Sequence, residues 1–272
     1  MTNEPMNDLR NKAKELLEAK SVTMVIGYEE GTAGIARPAF IMDPSHAEKL
    51  IYDKRCIHNL ALYLSKKEIK RAGKIAIVAS MPVMKSIIVL AAENQVTENN
   101  LVVLGISADN KLVDFENFAA VEKYINDNPE NYRPKDKELL DRIDKMEPQE
   151  RWDYWQKELS KCIKCYACRG SCPMCYCGTC TVDCNQPQWI SVPSHELGNL
   201  EWHLMRAMHL AGRCINCGQC ADSCPLEIPV NILTLKMSED IQKNFNYKAG
   251  TALQQDYVLS TFKPDDKDNF IN

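Results

Sequence analysis

Two short stretches of this chain carry the same cysteine spacing, and this repeat constrains the fold more than any other feature. Each stretch runs C-x2-C-x2-C-x3-C and is followed at once by a proline. The first lies in residues 162–173 and the second in residues 214–225. The two-residue gaps allow one tight turn to hold three sulfurs together, while the longer gap and the proline send the fourth sulfur away. Two complete copies in one chain indicate a metal-binding segment.

The spacing resembles that of bacterial ferredoxins, in which each run gives three thiolates to one 4Fe–4S cubane and its fourth to the other. The resemblance implies two clusters that exchange their fourth ligands. The first cluster would be held by Cys162, Cys165, Cys168 and Cys224, and the second by Cys214, Cys217, Cys220 and Cys172.

Five of the 13 cysteines are left over. Four of them follow the first motif in a C-x-C-x2-C-x3-C run and are Cys175, Cys177, Cys180 and Cys184. Four thiolates can hold a third 4Fe–4S cluster or a tetrahedral zinc ion. We favour a third centre, with iron–sulfur ahead of zinc; the alternative is that some of these cysteines bind nothing. Cys56 is interpreted as a small buried hydrophobe.

Composition and charge exclude several classes of protein. The 33 basic and 37 acidic residues give a net charge of −4, which does not favour binding to nucleic acid or to an anionic membrane. The polar N-terminus lacks a secretory signal, so we expect reduced cysteines and a cytoplasmic location. The most apolar run, residues 75–92, is interrupted by Lys85 and by Pro82, so no membrane span is expected.

The first part of the chain, residues 1–127, reads as an α/β domain. Its periodicity predicts a helix over residues 7–20, strands over 23–26, 38–42, 74–79 and 101–106, and helices over 56–64 and 83–94. Strand, helix and strand within about 30 residues is the pattern of a parallel βαβ unit.

The remainder is predicted to be mostly helical. Residues 128–161 read as a charged helical connector, with one helix around residues 139–146 and another after Pro148. Residues 162–237 form the ferredoxin-type iron–sulfur module, with helices over 199–211 and 231–236. Residues 238–272 are expected to hold a C-terminal helix and an extended tail.

No catalytic residue is predicted. Gly27, Gly31 and Gly34 follow a strand, but their spacing and the strand expected next do not match a phosphate-binding loop. His203 and His209 lie six residues apart and cannot chelate one metal ion from one helix face. The five histidines are therefore read as surface or packing residues.

Two longer segments resemble known families. The run KIAIVASMPVMKSIIVLAAENQVTENNLVVLGIS is similar to the core of deazaflavin-reducing hydrogenase and formate dehydrogenase β subunits, and this implies flavin in residues 1–127. In those families a cysteine usually follows the strand that corresponds to residues 74–79, and a second is often found after the next strand. Ser80-Met81-Pro82 and Ser107 stand at these places here, which argues against a flavin site.

The second segment is the cysteine-rich part of the chain. KCIKCYACRGSCPMCYCGTC, QPQW and HLAGRCINCGQC resemble the α-helical ferredoxins of heterodisulfide reductase C subunits and of succinate dehydrogenase iron–sulfur subunits. The resemblance implies an iron–sulfur subunit of a larger heterodisulfide reductase-type, flavin-linked, formate dehydrogenase-linked or hydrogenase-linked complex.

These observations predict an electron-transfer subunit that relays single electrons through two 4Fe–4S clusters, or three, within a multisubunit oxidoreductase. The main alternative is a self-contained iron–sulfur flavoprotein with FAD or FMN in residues 1–127. A redox-sensing regulator that switches through Cys175–Cys184 and a zinc-stabilised scaffold are further alternatives.

Overall fold

A computed structural model describes residues 4–183 and 187–254. It divides into two compact units. The N-terminal unit runs to Pro129 and includes Gly250–Gln254, and the cysteine-bearing unit is Glu130–Ala249. The first is a mixed α/β unit and the second is mostly helical, so the predicted fold class is confirmed.

The N-terminal unit contains six strands and four α-helices. The strands are β1 (Met24–Glu30), β2 (Ala36–Ile41), β3 (Leu50–Ile51), β4 (Ile75–Ala79), β5 (Leu101–Ile106) and β6 (Leu112–Asp114). The helices are α1 (Glu4–Glu18), α2 (Lys67–Arg71), α3 (Met81–Ala92) and α4 (Phe118–Asp127). Short 3-10 turns occupy Thr32–Gly34, Pro44–Lys49, Leu60–Tyr63 and Glu98–Asn100.

The six strands form one mixed sheet in the order β2-β1-β4-β5-β6. β4 pairs in parallel with both β1 and β5, which is the βαβ arrangement predicted from sequence, with α3 as the connection. β2 and β6 add antiparallel edges, and β3 pairs with the end of β1 that β4 does not reach. The sheet is therefore parallel at its centre and antiparallel at its margins.

Continuous apolar runs explain the centre of this unit. All five residues of β4 are buried, as expected for a strand covered on both faces. Pro82 lies in the first turn of α3. Backbone N–H groups in this turn have no partner within the helix, so the N–H that proline lacks costs no hydrogen bond. The helix predicted over residues 56–64 is wrong: only Leu60–Tyr63 turns, as a 3-10 helix. The Asn59 side chain accepts the N–H of Ala61 and so stabilises a local turn rather than a continuing helix.

In its described residues, the cysteine-bearing unit contains four longer helices and two short ones. They are α5 (Pro134–Asp144), α6 (Pro148–Ser160), α7 (Ala167–Gly170), α8 (Glu196–His209), α9 (Gln219–Asp222) and α10 (Val230–Phe245). α6 begins with a capping box formed by Glu147 and Glu150, followed by proline in its first turn. His195 caps the N-terminus of α8, and its ring nitrogen accepts the N–H of Gly198. The connector helices and the helices around each motif are thus where periodicity predicts them, although α10 is much longer.

Apolar clusters hold these helices together, and two of them contain most of the buried residues. One contains Trp202 and Ile228 together with the cysteines Cys162, Cys168 and Cys220. The other joins α5 to α10 through residues that include Leu140 and Leu235. No helix in the described ranges is long and apolar enough to cross a membrane. The predicted tail beyond residue 254 lies outside the described residues.

Candidate iron–sulfur centre

The two cysteine motifs fold as copies of one local structure. Each begins just beyond a long helix, α6 or α8, and each ends in a single helical turn, α7 or α9. Both copies place left-handed residues at the same two positions: Lys164 and Tyr166 in the first, Asn216 and Gly218 in the second. This conformation turns the backbone sharply between successive cysteines. Identical spacing has therefore produced the same turn twice.

Backbone amides point at sulfur in both copies. The N–H of Lys164 donates to the sulfur of Cys162 at 3.3 Å, and the N–H of Asn216 donates to the sulfur of Cys214 at 3.4 Å. Hydrogen bonds to a sulfur favour its charged thiolate form, which is the form that binds metal. The first left-handed residue of each motif, Lys164 or Asn216, carries this amide, so the turn itself prepares the first cysteine as a ligand.

The fourth cysteine of the second motif lies with the first motif. Burial raises the pKa of the Cys162 thiol, and the nearby thiols of Cys165 and Cys224 raise it further. Burial also raises the pKa of Cys168 to about 11, with contributions from Cys162 and Cys165. Cys162 therefore lies near Cys165 and Cys224, whereas Cys168 lies near Cys162 and Cys165 and also near Cys220 of the second motif.

The fourth cysteine of the first motif lies with the second motif. Burial raises the pKa of Cys217, and Cys172 and then Cys214 raise it further. Burial raises the pKa of Cys214 to about 11, and Cys220 and Cys172 again act in the same direction. All four of these cysteines line one cavity, whose walls also carry Tyr132, Arg133, Asp136, Arg206, Leu210, Asn216, Gly218, Gln219, Asn231, Thr234 and Leu235.

Two buried guanidinium groups on this wall each leave a nitrogen without a hydrogen-bond partner in the described residues. Nη2 of Arg133 and Nε of Arg206 are buried and find no hydrogen-bond partner within the described part of the chain. Buried donors left without acceptors are uncommon in native proteins. Thiolates and the sulfides of a cubane would supply acceptors, so the donor set and the orphaned N–H groups both fit a 4Fe–4S cluster.

The leftover cysteines divide between two environments. The side chains of Cys175 and Cys172 are hydrogen-bonded, which lowers the pKa of Cys172 and raises that of Cys175. Cys180 is half-buried beside Tyr166, and Cys177 is exposed. Cys184 lies outside the described residues.

Arg169 links this segment to the first motif. Its guanidinium binds Asp183 at 2.7 Å, and the neighbouring Cys180 and Cys175 add to the rise that this bond causes in the Arg169 pKa. Among residues 4–183 and 187–254, no three His, Cys, Asp or Glu side chains converge in the manner needed for a single metal ion.

Outside the motifs, the structure gives the other singled-out residues ordinary roles. Cys56 is buried, and its sulfur accepts the N–H of Asp53 at 3.4 Å. Gly27 lies within β1, and Gly31 and Gly34 belong to the hairpin that joins β1 to β2. That hairpin places a strand where a phosphate-binding loop would need a helix. His203 is buried and packs near Trp202, whereas His209 is exposed.

Sequence reasoning missed the two arginines of the cavity wall. Arg133 lies far from either motif along the chain, so no spacing rule connects it to them. Arg206 could have been found from the sequence, because it lies four residues from both Trp202 and Leu210 and so falls on the buried face of α8. A charged residue within an apolar stripe indicates a buried partner of opposite charge.

Comparison with known proteins gives a partial likeness. The chain is 32% identical over 96 residues to the F420-dependent formate dehydrogenase subunit beta of Methanocaldococcus jannaschii. The matched region is 35% of this chain and 24% of that protein, so the chain spans about a quarter of the length of the curated relative it matches. No protein-family model matches the chain.

Proposed function

We propose that this protein is an iron–sulfur subunit that transfers single electrons within a multisubunit oxidoreductase, and that it holds two 4Fe–4S clusters. The exchange of fourth cysteines carries this proposal: Cys224 lies beside Cys162, and Cys172 lies beside Cys217. Such an exchange is typical of two-cluster ferredoxins and has no purpose in two independent zinc sites. When bound, the clusters accept and release one electron each.

The residues of the chain would hold, bury and polarise these clusters. The first cluster would be held by Cys162, Cys165, Cys168 and Cys224, and the second by Cys172, Cys214, Cys217 and Cys220. Amides such as those of Lys164 and Asn216 donate to ligand sulfurs and so favour the more negative, reduced form of a cluster. Apolar neighbours such as Trp202 and Ile228 exclude water from the first site.

The exchanged ligands also favour a relay. Because each motif contributes to both sites, the two clusters would be joined through the same short turns. Cys165 is exposed, whereas Cys217 is half-buried and Cys220 is buried. An electron partner would therefore approach the first cluster, and the second would lie further along the path.

Three further assignments depend on the partial likeness and on residue chemistry. The similarity to a formate dehydrogenase β subunit supports a parent complex of the formate dehydrogenase kind. Heterodisulfide reductase-type and hydrogenase-linked complexes are the alternatives that the cysteine-rich sequence offers. The need for reduced thiols supports assembly in the cytoplasm. Cys175, Cys177, Cys180 and Cys184 are proposed as a third centre.

Electron paramagnetic resonance of the full chain tests this function. Protein purified without oxygen and reduced with dithionite should give two interacting S = 1/2 clusters, with a spin count of about two per chain from two reduced cubanes. A spectrum without any iron–sulfur signal would refute the proposal.

The subunit role has a separate test in the native organism. A tagged copy of the chain should purify with other redox subunits and with formate-oxidising activity. Recovery of the chain alone, with its clusters intact, would contradict the role in a complex while leaving the clusters established.

A further inference from the structure

Arg206 is a buried cation between the two cysteine motifs. It lies on α8, is 4% exposed, and forms part of the cavity wall beside Cys172 and Cys220. Its Nη2 donates to the carbonyl oxygen of Cys168 at 3.1 Å, and its side chain also hydrogen bonds to the thiol of Cys220. One residue of the first motif and one of the second are thus held by the same guanidinium.

In the part of the chain that the structure describes, no carboxylate forms an ion pair with this guanidinium; Asp136, which also lines the cavity, binds Arg133 instead. Within the described ranges Arg206 forms no ion pair, and the groups that favour its charged state are the thiols of Cys220, Cys172, Cys168 and Cys175. Burial by itself would lower the pKa of Arg206, yet these sulfurs raise it above its ordinary value. A buried, unpaired cation is expensive unless negative charge lies nearby.

Arg133, on the same wall, is different. Its guanidinium binds Asp136 and Asp222, each at 2.6 Å, so its charge is already compensated by side chains. Of the two arginines on this wall, Arg206 is therefore the one whose positive charge must be balanced by cysteine sulfurs. Thiolates that ligate a cluster supply that charge, whereas protonated thiols do not.

We propose that Arg206 is the resident counter-cation of the second cluster, held by Cys172, Cys214, Cys217 and Cys220, and that it raises the reduction potential of that cluster. This rests on the proposed function. Reduction adds one negative charge to a site where water is scarce, so a fixed positive charge at contact distance favours the reduced form. Arg206 is a positioning and tuning residue, not a ligand.

The test compares three variants in the full chain. Arg206→Gln removes the charge and keeps a donor, Arg206→Lys keeps the charge, and Arg213→Gln is the matched control. Arg213 precedes Cys214 directly, but it is half-buried and stacks on the ring of Tyr176 at 5.2 Å. Water near its side chain should screen its charge from the cavity.

The readout is a mediated redox titration followed by electron paramagnetic resonance. At a fixed potential, Arg206→Gln should lower the reduced-to-oxidised ratio of the second cluster at least tenfold, which is a shift of about 59 mV for one electron. Arg206→Lys should stay near the wild type, and Arg213→Gln should change the ratio less than threefold. Equal ratios in wild type and Arg206→Gln, or equal shifts in Arg206→Gln and Arg213→Gln, would overturn the proposal.

Iron and sulfide contents separate the failure of this inference from failure of the proposed function. Wild-type protein without iron and sulfide would refute the function itself. If Arg206→Gln alone fails to load the second cluster and Arg206→Lys loads it, the positive charge is required and the inference stands. If both variants fail to load, the shape of arginine rather than its charge is needed, and the inference is wrong.

Discussion

The thiol of Cys172, which closes the first cysteine motif along the chain, lies beside the thiol of Cys217 in the second motif. Cys172 therefore lines the same cavity as the second-motif cysteines Cys214, Cys217 and Cys220. Sequence order and spatial grouping therefore disagree at this residue, and the disagreement can be tested by mutation.

Cys172→Ala should remove the cluster of the second motif and spare that of the first. We expect iron to fall by about four per chain, the content of one cubane, with the first cluster's signal retained. Cys224→Ala should have the opposite selectivity. Cys56→Ala, which changes a cysteine outside both motifs, should leave iron content unchanged. Loss confined to the first cluster in Cys172→Ala would contradict the exchange of ligands.

Gly218→Ala should destabilise the cysteine-bearing unit. Gly218 has φ +75°, and a Cβ there would overlap the guanidinium of Arg133. The left-handed conformation alone costs about 1–2 kcal/mol for a residue with a side chain. Denaturant unfolding should show a loss of at least this size, while Gly178→Ala, where a Cβ meets nothing within 4 Å, should show little change. Equal effects at the two glycines would refute the predicted overlap.

Gly105→Ala should destabilise the N-terminal unit without removing iron. A Cβ on Gly105 in β5 would overlap the ring of Phe115, and overpacking of this kind costs about 1–3 kcal/mol. Trimming the ring in the double variant Gly105→Ala, Phe115→Leu should recover part of the loss. Thermal unfolding gives the stability, and iron analysis shows whether the cysteine-bearing unit is unaffected. Failure of the double variant to recover would show that the ring is not the obstacle.

Stability should fall in mild acid because of His203. Burial, followed by the charges of Arg206 and Lys164, lowers the pKa of His203 to about 4. In the unfolded chain His203 binds a proton near its ordinary pKa of about 6.5, whereas in the folded protein it does so only near pH 4. The contribution of the neutral ring to the free energy of unfolding is therefore present above about pH 6.5 and is lost as the pH falls towards 4. From pH 7 to pH 5 the loss should be about 2 kcal/mol.

His203→Gln should weaken this pH dependence, since glutamine does not titrate. The measurement is anaerobic denaturant unfolding of wild type and variant at pH 7 and pH 5. His209→Gln is the matched control, because His209 is exposed on the same helix and should leave the dependence unchanged. The same loss in wild type and His203→Gln would remove His203 as the cause.

The sequence was most informative where local pattern decides structure. The apolar run Ile75–Ala79 and the run Leu101–Ile106 predicted β4 and β5 because a strand buried on both faces needs continuous apolar residues. The cysteine spacing likewise predicted two equivalent turns, and Lys164 and Asn216 take the same left-handed conformation in both.

Other features depend on contacts between distant residues. The antiparallel strands β3 and β6 are two and three residues long. They are too short to show an alternation of apolar and polar residues in the sequence. The compensation of Arg133 by Asp222 joins residues 89 positions apart, and no local rule anticipates it. The helix expected over residues 56–64 failed because the Asn59 side chain competes for a backbone amide.

The most direct test of the central claim is the content of iron, acid-labile sulfide and zinc per chain in anaerobically purified full-length protein. Two cubanes with exchanged ligands predict about eight irons and eight sulfides, and a third iron–sulfur centre would bring each to about twelve. Zinc without sulfide, or iron at about four per chain or fewer, would contradict the account of this protein as a two-cluster electron carrier.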